Sequence, residues 1–292
     1  MPRVGYRAHD FGSFANAEEL GKRIESIRPS FIQLALNKVI PSARSWQDWD
    51  EEYISSITET LRSHGVTVAI IGCYINPINP DKDGRKEEIR RFGKSLSLSS
   101  AFGCPYVGTE TGSMNPNGGF SIDTSDPKNL EIFRESLEEM IELAEKYNAY
   151  IAMEAVARNH TISTIERMAD ILSRYKTERL KTIFDPVNLI PYTGIREADG
   201  VNLKVPSEEA EHNFISAVLD LYEGRLAAIH CKDYYLNHET GLKAGDIPAL
   251  TGIFRWKAFA EELRLRNIDV PWLLENHNPA TVKETAETIA GF

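Results

Sequence analysis

Short apolar runs alternate with longer amphipathic segments along the whole chain. Eight of these runs are rich in aliphatic and β-branched residues and have the length of buried strands. They lie at residues 4–11, 31–39, 66–76, 106–113, 150–158, 180–189, 226–234 and 270–277. The alternation continues to the end of the sequence, which is the pattern of repeated strand–helix units.

The segments between the runs carry apolar residues at helical spacing. In DWDEEYISSITETLRSHG, the residues Tyr53, Ile54, Ile57 and Leu61 form one stripe, and a His-Gly pair ends the pattern. The segment at 126–148 begins with Asp-Pro, which is a helix-start signal. Apolar strands joined by covering helices indicate parallel pairing, and eight such units allow a parallel sheet to close on itself. The pattern therefore predicts an α/β chain that forms a single (β/α)8 TIM barrel.

An open, doubly wound parallel sheet is the alternative architecture. Such a sheet usually carries a glycine-rich phosphate turn after its first strand, and AHDFGSFAN is not one. No segment shifts in composition enough to mark a linker, so residues 1–292 are expected to form one barrel domain.

Charge and cysteine usage narrow the functional classes. The formal net charge of −10 opposes binding to a long polyanion, so no nucleic-acid partner is expected. No apolar stretch approaches the roughly 20 residues that span a bilayer, and the N-terminal sequence has no secretory pattern, so we expect no membrane partner and a cytoplasmic protein. Cys73, Cys104 and Cys231 stand singly in apolar runs, which is typical of reduced core thiols.

Every predicted strand ends on polar residues. In a barrel the carboxyl ends of all strands open into one mouth, so these side chains are expected to converge. Because strand side chains alternate in direction, Glu154, His230 and Glu275 can all face inward. The polar strand ends are His9, Asp10, Asn37, Asn76, Glu110, Glu154, Asp185, Asn188, His230, Lys232, Asp233, Glu275 and His277.

Three of these carboxylates and one imidazole suggest a metal centre. A lone carboxylate at the closed end of an apolar strand loses hydration, so it normally finds a partner or a metal. Glu154, Asp185 and Glu275 together with His230 carry enough negative charge to attract one divalent cation. Taken singly, each has a plainer interpretation as an ion-paired strand end, a turn former or a satisfied core histidine. Their joint occurrence at four strand ends favours the metal.

These four residues carry a resemblance to a known family. Glu154 in IAMEAVAR, Asp185 in TIFDPVNL, His230 in IHCKD and Glu275 in LLENH resemble the metal ligands of the sugar phosphate isomerase/epimerase branch of the xylose-isomerase-like TIM-barrel superfamily. The resemblance covers essentially the whole chain. It implies one divalent ion, with Mn²⁺ expected and Mg²⁺, Co²⁺ or Zn²⁺ as alternatives. It also implies that the ion chelates adjacent sugar oxygens and stabilises an enediolate, while Glu154 and Glu275 move the proton as catalytic residues.

The chain also departs from the ketose epimerases of that superfamily. Asn188 stands where they place a histidine, His160 where they place a second glutamate, and Lys232 and Asp233 where they place an arginine. The substrate is therefore less well defined than the metal. Polar lining of the mouth suits sugar hydroxyls, and packing or a turn is the competing interpretation at each position. The candidate substrate-binding residues are His9, Tyr74, Asn76, Glu110, His160, Asn188 and Lys232.

The predicted activity is that of a divalent-metal-dependent sugar or sugar phosphate isomerase or epimerase. A dehydratase of an inosose-like cyclic polyol is an alternative because its first proton abstraction uses the same groups, and a catalytically silent sugar-binding barrel is another. A related endonuclease would need further histidines where Asn37, Asn76 and Asn188 stand. A glycosidase would leave Asp185 and His230 without a role. The expected partner is a small-molecule sugar or sugar phosphate, and the resemblance implies a homodimer or homotetramer.

Overall fold

Eight parallel strands close into a barrel. The computed structural model describes residues 1–27, 31–202 and 204–292, and its strands are β1 (Arg3–Arg7), β2 (Phe31–Leu34), β3 (Thr67–Gly72), β4 (Tyr106–Glu110), β5 (Tyr150–Glu154), β6 (Leu180–Phe184), β7 (Leu226–Leu236), β8 (Lys243–Pro248) and β9 (Pro271–Leu274). Hydrogen-bonded neighbours follow the order β6-β5-β4-β3-β2-β1-β9-β7, and pairing of β6 with β7 closes the ring. All these pairs are parallel. The predicted single (β/α)8 barrel is confirmed.

Helices surround the barrel between its strands. Their bounds are α1 (Ala17–Glu25), α2 (Leu36–Val39), α3 (Glu51–Ser63), α4 (Lys82–Ser97), α5 (Ser99–Phe102), α6 (Pro127–Lys146), α7 (Ile165–Arg174), α8 (Pro186–Leu189), α9 (Glu208–Leu221), α10 (Trp256–Leu265) and α11 (Val282–Ala290). The Asp-Pro signal does begin α6, where the Asp126 carboxylate accepts a hydrogen bond from the Lys128 backbone N–H. Among the helices in the described ranges, none has the length and apolarity needed to cross a membrane.

The barrel interior is an apolar layer beneath a polar one. The apolar side chains form a buried cluster of their own, separate from the larger core between barrel and helices, and include Phe31, Ile70, Ala152, Ile183, Ala228 and Leu273. Strand side chains repeat every two residues, so the next inward position on each strand lies two residues later. On five of the six strands that carry these apolar residues, that position is polar, namely Gln33, Glu154, Asp185, His230 and Glu275. The fold therefore brings these polar side chains together on an apolar floor.

Several predicted strands are too long, and one strand was missed. The run at 4–11 is β1 followed by a 3-10 helix (Ala8–Phe11), and the runs at 31–39 and 180–189 end in the one-turn helices α2 and α8. Apolar periodicity alone does not separate a buried strand from a short buried helix, which explains the error. The polar segment of β8 pairs antiparallel with the extended end of β7, and together they form a hairpin above the barrel.

Candidate metal centre

Four neighbouring strands deliver the four predicted ligands to one point. Glu154 is the last residue of β5 and His230 lies inside β7, while Asp185 and Glu275 directly follow β6 and β9. One donor atom from each residue lies within 4.8 Å of the other three. All four side chains are buried, with exposed fractions between 1% and 6%. The geometry therefore fits a small cation bound by three carboxylates and one imidazole.

Two buried atoms of this cluster face their neighbours without hydrogen-bond geometry. His230 Nδ1 lies 3.1 Å from Glu154 Oε2 and 3.2 Å from Glu275 Oε2. Within the described part of the chain, neither His230 Nδ1 nor Asp185 Oδ2 makes a contact with full hydrogen-bond geometry, although Lys232 Nζ lies 3.1 Å from Asp185 Oδ2. Buried polar atoms are normally satisfied, so donor atoms that converge in this way indicate a shared ligand. The residues present therefore fit the metal that the sequence predicts.

The charges within the cluster offset one another. Burial raises the pKa of Asp185 to about 6, although Lys232 opposes that shift. Burial would also raise the pKa of Glu154, but the nearby charge of His230 lowers it below its usual value. Burial would lower the pKa of His230, yet Glu154 and Glu275 raise it to about 10. Without a metal, a proton on His230 thus supplies positive charge that a bound cation would replace.

Two cationic side chains, Lys232 and Arg7, contact the carboxylates of the centre. Lys232 Nζ lies 3.1 Å from Asp185 Oδ2, 3.2 Å from Glu275 Oε1 and 3.1 Å from the Asp246 carboxylate. Arg7 Nη1 lies 2.5 Å from the same Glu275 oxygen. The Oε2 atom of Glu275 is not part of these contacts and faces the centre, where it lies 3.2 Å from His230 Nδ1.

Asn188 plays the corresponding part on the Glu154 side. Its amide Nδ2 donates to Glu154 Oε1 at 2.5 Å, while its backbone N–H donates to Asp185 Oδ1 at 2.9 Å. Asp185 is the N-cap of α8, so the one-turn helix itself holds Asn188 beside the centre. The sequence predicts Asn188 at the mouth of the barrel, and in the structure its side chain contacts Glu154, one of the predicted metal ligands.

Two other predicted site residues are neutral histidines with a free ring nitrogen. Burial lowers the pKa of His9 to about 3 and that of His160 to about 4. In the described ranges, Nδ1 of each is buried without a hydrogen-bond partner. His160 Nε2 lies 3.5 Å from a Glu110 carboxylate oxygen, and burial raises the pKa of Glu110 to about 7. Both rings can therefore offer hydrogen bonds to a hydroxyl group near neutral pH.

Tyr74 and Asn76 have partners within the protein. The Tyr74 hydroxyl accepts a hydrogen bond from Gln33 Nε2 at 2.5 Å, and Lys38 Nζ lies 4.2 Å from the centre of the Tyr74 ring. The Asn76 amide donates to the carbonyls of Ser113 and Asn115 and accepts from two backbone N–H groups. Its side chain thus connects the loops that follow β3 and β4.

Three residues near the centre are not among the site residues predicted from the sequence. Arg7 and Gln33 occupy inward strand positions and touch Glu275 and His230, and Asp246 reaches Lys232 from β8. Gln33 stands two residues after the inward Phe31, so strand alternation carried the signal that could have found it. Asp246 gave no such signal because its strand is not apolar.

The family follows from the sequence match. The profile of the xylose isomerase-like TIM barrel family matches residues 29–291. The chain therefore belongs to the xylose isomerase-like TIM barrel family. No curated protein sequence matches the chain.

Solved structures with similar folds include sugar epimerases. A D-tagatose 3-epimerase-like protein superposes with a TM-score of 0.71 at 16% identity, over 99% of this chain and 97% of that chain. The 3-keto-D-glucoside 4-epimerase from E. coli gives a TM-score of 0.67 at 14% identity, over 100% of both chains. The IOLI protein, solved with a zinc atom, gives 0.67 at 16% identity, over 99% of this chain and 96% of that chain. At these identities the likeness establishes the fold alone.

Proposed function

We propose that the protein is a divalent-metal-dependent isomerase that isomerises or epimerises a sugar or sugar phosphate. The observation that carries the proposal is the convergence of four buried donor atoms, one each from Glu154, Asp185, His230 and Glu275, within 4.8 Å. A hydrolase that used only two carboxylates would not need the aspartate and the histidine in the same place. The epimerases with a similar fold add support for a sugar substrate.

These four residues would hold the ion, for which Mn²⁺ is the expected metal and Mg²⁺, Co²⁺ and Zn²⁺ are alternatives. The donor set of hard oxygens and one imidazole suits all of these cations. A bound divalent ion supplies a Lewis acid that polarises a substrate carbonyl and acidifies the neighbouring C–H bond.

Glu154 and Glu275 would move the proton. Each has its Oε2 beside His230 Nδ1, while its Oε1 lies toward a different partner outside the cluster. One oxygen of each glutamate can therefore face the ion while the other takes or returns a substrate proton. Glutamates on two different strands can reach two faces of a substrate between them, which an epimerisation requires.

The other mouth residues would bind the substrate. His9 and His160 are neutral, and the Nδ1 atom of each has no hydrogen-bond partner among the described residues, which suits hydrogen bonds with sugar hydroxyls. Tyr74, Asn76, Glu110 and Asn188 add further donors and acceptors. Lys232 already contacts three carboxylates, so its role would be to hold these groups as well as to face the substrate.

The proposal extends to the protein's surroundings. We take residues 1–292 as one barrel domain that works in the cytoplasm on a small-molecule sugar or sugar phosphate, without a nucleic-acid or membrane partner. A homodimer or homotetramer formed through the helical shell is part of the proposal. Light scattering of the purified protein tests the assembly directly.

Proton NMR in D₂O tests the reaction. The Mn²⁺-loaded protein is incubated with ketoses, ketose phosphates and inososes, and the ion is removed before spectra are recorded. We expect deuterium next to a carbonyl together with an isomer or epimer, and no deuterium when metal-stripped protein is used.

Other outcomes separate the alternatives. A dehydrated product from an inosose would indicate a dehydratase that shares the first proton abstraction. Stoichiometric Mn²⁺ binding without exchange in any compound would contradict the proposal and favour a silent sugar-binding barrel.

A further inference from the structure

Gln33 is a fully buried polar residue at the floor of the candidate metal centre. It lies on β2 with an exposed fraction of 0%, and it is the inward position above Phe31. Its neighbours in the barrel interior are apolar side chains below and the acidic cluster above. A buried amide in such a place is costly unless both of its polar atoms are hydrogen-bonded.

Both polar atoms of this amide are in fact used. Gln33 Oε1 lies 2.6 Å from His230 Nε2, and Gln33 Nε2 donates to the Tyr74 hydroxyl at 2.5 Å. Carbonyl oxygens only accept hydrogen bonds, so this contact requires a proton on His230 Nε2. The other ring nitrogen, Nδ1, is the atom that faces Glu154 and Glu275.

This arrangement matches the requirement of a metal-ligating imidazole. A neutral histidine that binds a cation through Nδ1 must carry its remaining proton on Nε2, and that N–H needs an acceptor because it is buried. The opposite tautomer would set the Nε2 lone pair against the Gln33 carbonyl oxygen at 2.6 Å. Gln33 therefore favours the tautomer whose Nδ1 lone pair points to the centre.

We propose that Gln33 is a positioning residue for the metal centre, which holds His230 in the metal-binding tautomer and connects it to Tyr74. The inference rests on the proposed function, because it requires His230 to be a metal ligand. Tyr74 contributes by fixing the far end of the amide. Since its hydroxyl accepts from Gln33, its own proton is left to donate to a ligand in the mouth.

The metal affinities of three variants and of one control variant test the inference without an activity assay. Gln33→Met keeps the size of the side chain and removes the acceptor, so Zn²⁺ and Mn²⁺ binding measured by calorimetry should weaken by roughly 10- to 100-fold. Gln33→Glu keeps an acceptor and should bind within a few-fold of the wild type. Tyr74→Phe, which removes only the anchor of the amide, should have a smaller effect than Gln33→Met.

Thr58→Val is the matched control for a lost buried hydrogen bond. The hydroxyl of Thr58 on α3 donates to the carbonyl of Ala101 on α5 at 2.9 Å, in the helical layer and not in the barrel interior, so this variant should leave metal affinity unchanged. In the Zn²⁺-loaded, ¹⁵N-histidine-labelled wild type, long-range ¹H–¹⁵N correlation should show the His230 proton on Nε2.

The outcomes distinguish this inference from the proposed function. Wild-type binding with unchanged affinity in Gln33→Met, or a proton on His230 Nδ1 in the loaded protein, would overturn the role of Gln33 alone. Absence of binding in the wild type would overturn the metal centre and the inference with it. Weak binding in both Gln33→Met and Gln33→Glu would also count against the acceptor role, since only the first lacks an acceptor.

Discussion

The two glutamates of the centre have similar inner contacts and different outer ones. Glu154 and Glu275 each place Oε2 next to His230 Nδ1, at 3.1 Å and 3.2 Å. The outer oxygen of Glu154 accepts from the neutral amide of Asn188, whereas that of Glu275 contacts two cations, Arg7 and Lys232. Both side chains are buried, so these partners matter more than they would at the surface.

The difference in partners changes the basicity of the two carboxylates. Burial opposes ionisation at both sites, but Lys232, His230 and Arg7 together hold the pKa of Glu275 well below its usual value. At Glu154 the opposing charge comes first from His230, and its pKa is lowered as well. The contacts of Glu275 therefore keep its carboxylate ionised, whereas the contacts of Glu154 oppose protonation of its carboxylate less strongly.

Replacing each glutamate by its amide is expected to have the largest effect on the centre. Glu154→Gln and Glu275→Gln should each lower the rate of substrate hydrogen–deuterium exchange by roughly 10²- to 10⁴-fold, because each removes a general base or acid. Glu275→Gln should also destabilise the metal-free protein more than Glu154→Gln does, by about 1.5–3 kcal/mol, since it weakens two charged contacts, with Arg7 and Lys232. Exchange by NMR and unfolding in urea measure the two effects separately.

The exchange rates and the free energies of unfolding of the two variants test whether Glu154 and Glu275 have different roles. Full exchange activity in either variant would remove that glutamate from proton transfer. Equal losses of stability in both variants would show that the outer cations do not distinguish the two sides.

Lys232 is the next test because it contacts three carboxylates at once. Lys232→Met leaves Asp185 and Glu275 buried with less positive charge, so the free energy of unfolding of the metal-free protein should fall by about 3–5 kcal/mol. Mn²⁺ should stabilise this variant more than it stabilises the wild type, because the ion supplies positive charge to the carboxylates that have lost Lys232; a ligand at 100 times its Kd stabilises the folded state by about 2.7 kcal/mol. Thermal and urea unfolding with EDTA or Mn²⁺ provide the measurement.

Lys243→Met is the matched control for this variant. Lys243 is also largely enclosed, but its Nζ donates to the carbonyls of Val187 and Ile190 rather than to carboxylates, at 2.6 Å and 2.7 Å. Its loss should cost stability that Mn²⁺ restores no more than in the wild type. A metal-insensitive loss in Lys232→Met would mean that this lysine supports the hairpin instead of the charge balance.

The metal ligands were predictable from sequence for a simple physical reason. Glu154, His230 and Glu275 lie in or directly after apolar strand segments, where two-residue alternation shows which side chains face inward, and a buried charge there is conspicuous. Gln33 occupies the same kind of position, but a neutral amide in a strand carries no comparable signal. Its role depends on the distance to His230, which only the folded barrel supplies.

The outer contacts were less accessible to prediction. The pattern predicts one strand over residues 4–11 with His9 at its end, whereas β1 ends at Arg7, whose side chain faces inward and contacts Glu275. Asp246 lies on a strand whose sequence, KAGDIP, has no apolar pattern and which forms only by pairing with β7. Arg7 reaches Glu275 from the other end of the chain, and β8 forms only through its hairpin with β7, so local apolar periodicity encodes neither contact.

Asn188 provides the finest test of the comparison, because it acts on one oxygen of one glutamate. Asn188→Leu removes the amide that donates to Glu154 Oε1 but keeps the backbone N–H that donates to Asp185, so the fold of α8 should persist. We expect exchange to slow by about tenfold, which corresponds to the loss of one hydrogen bond to a charged group worth about 1.5 kcal/mol. Arg7→Met is the counterpart on the other side, and Lys232 still contacts Glu275 there. Exchange should therefore slow less in Arg7→Met than in Asn188→Leu, and the reverse order would mean that Glu275, not Glu154, is the more sensitive base.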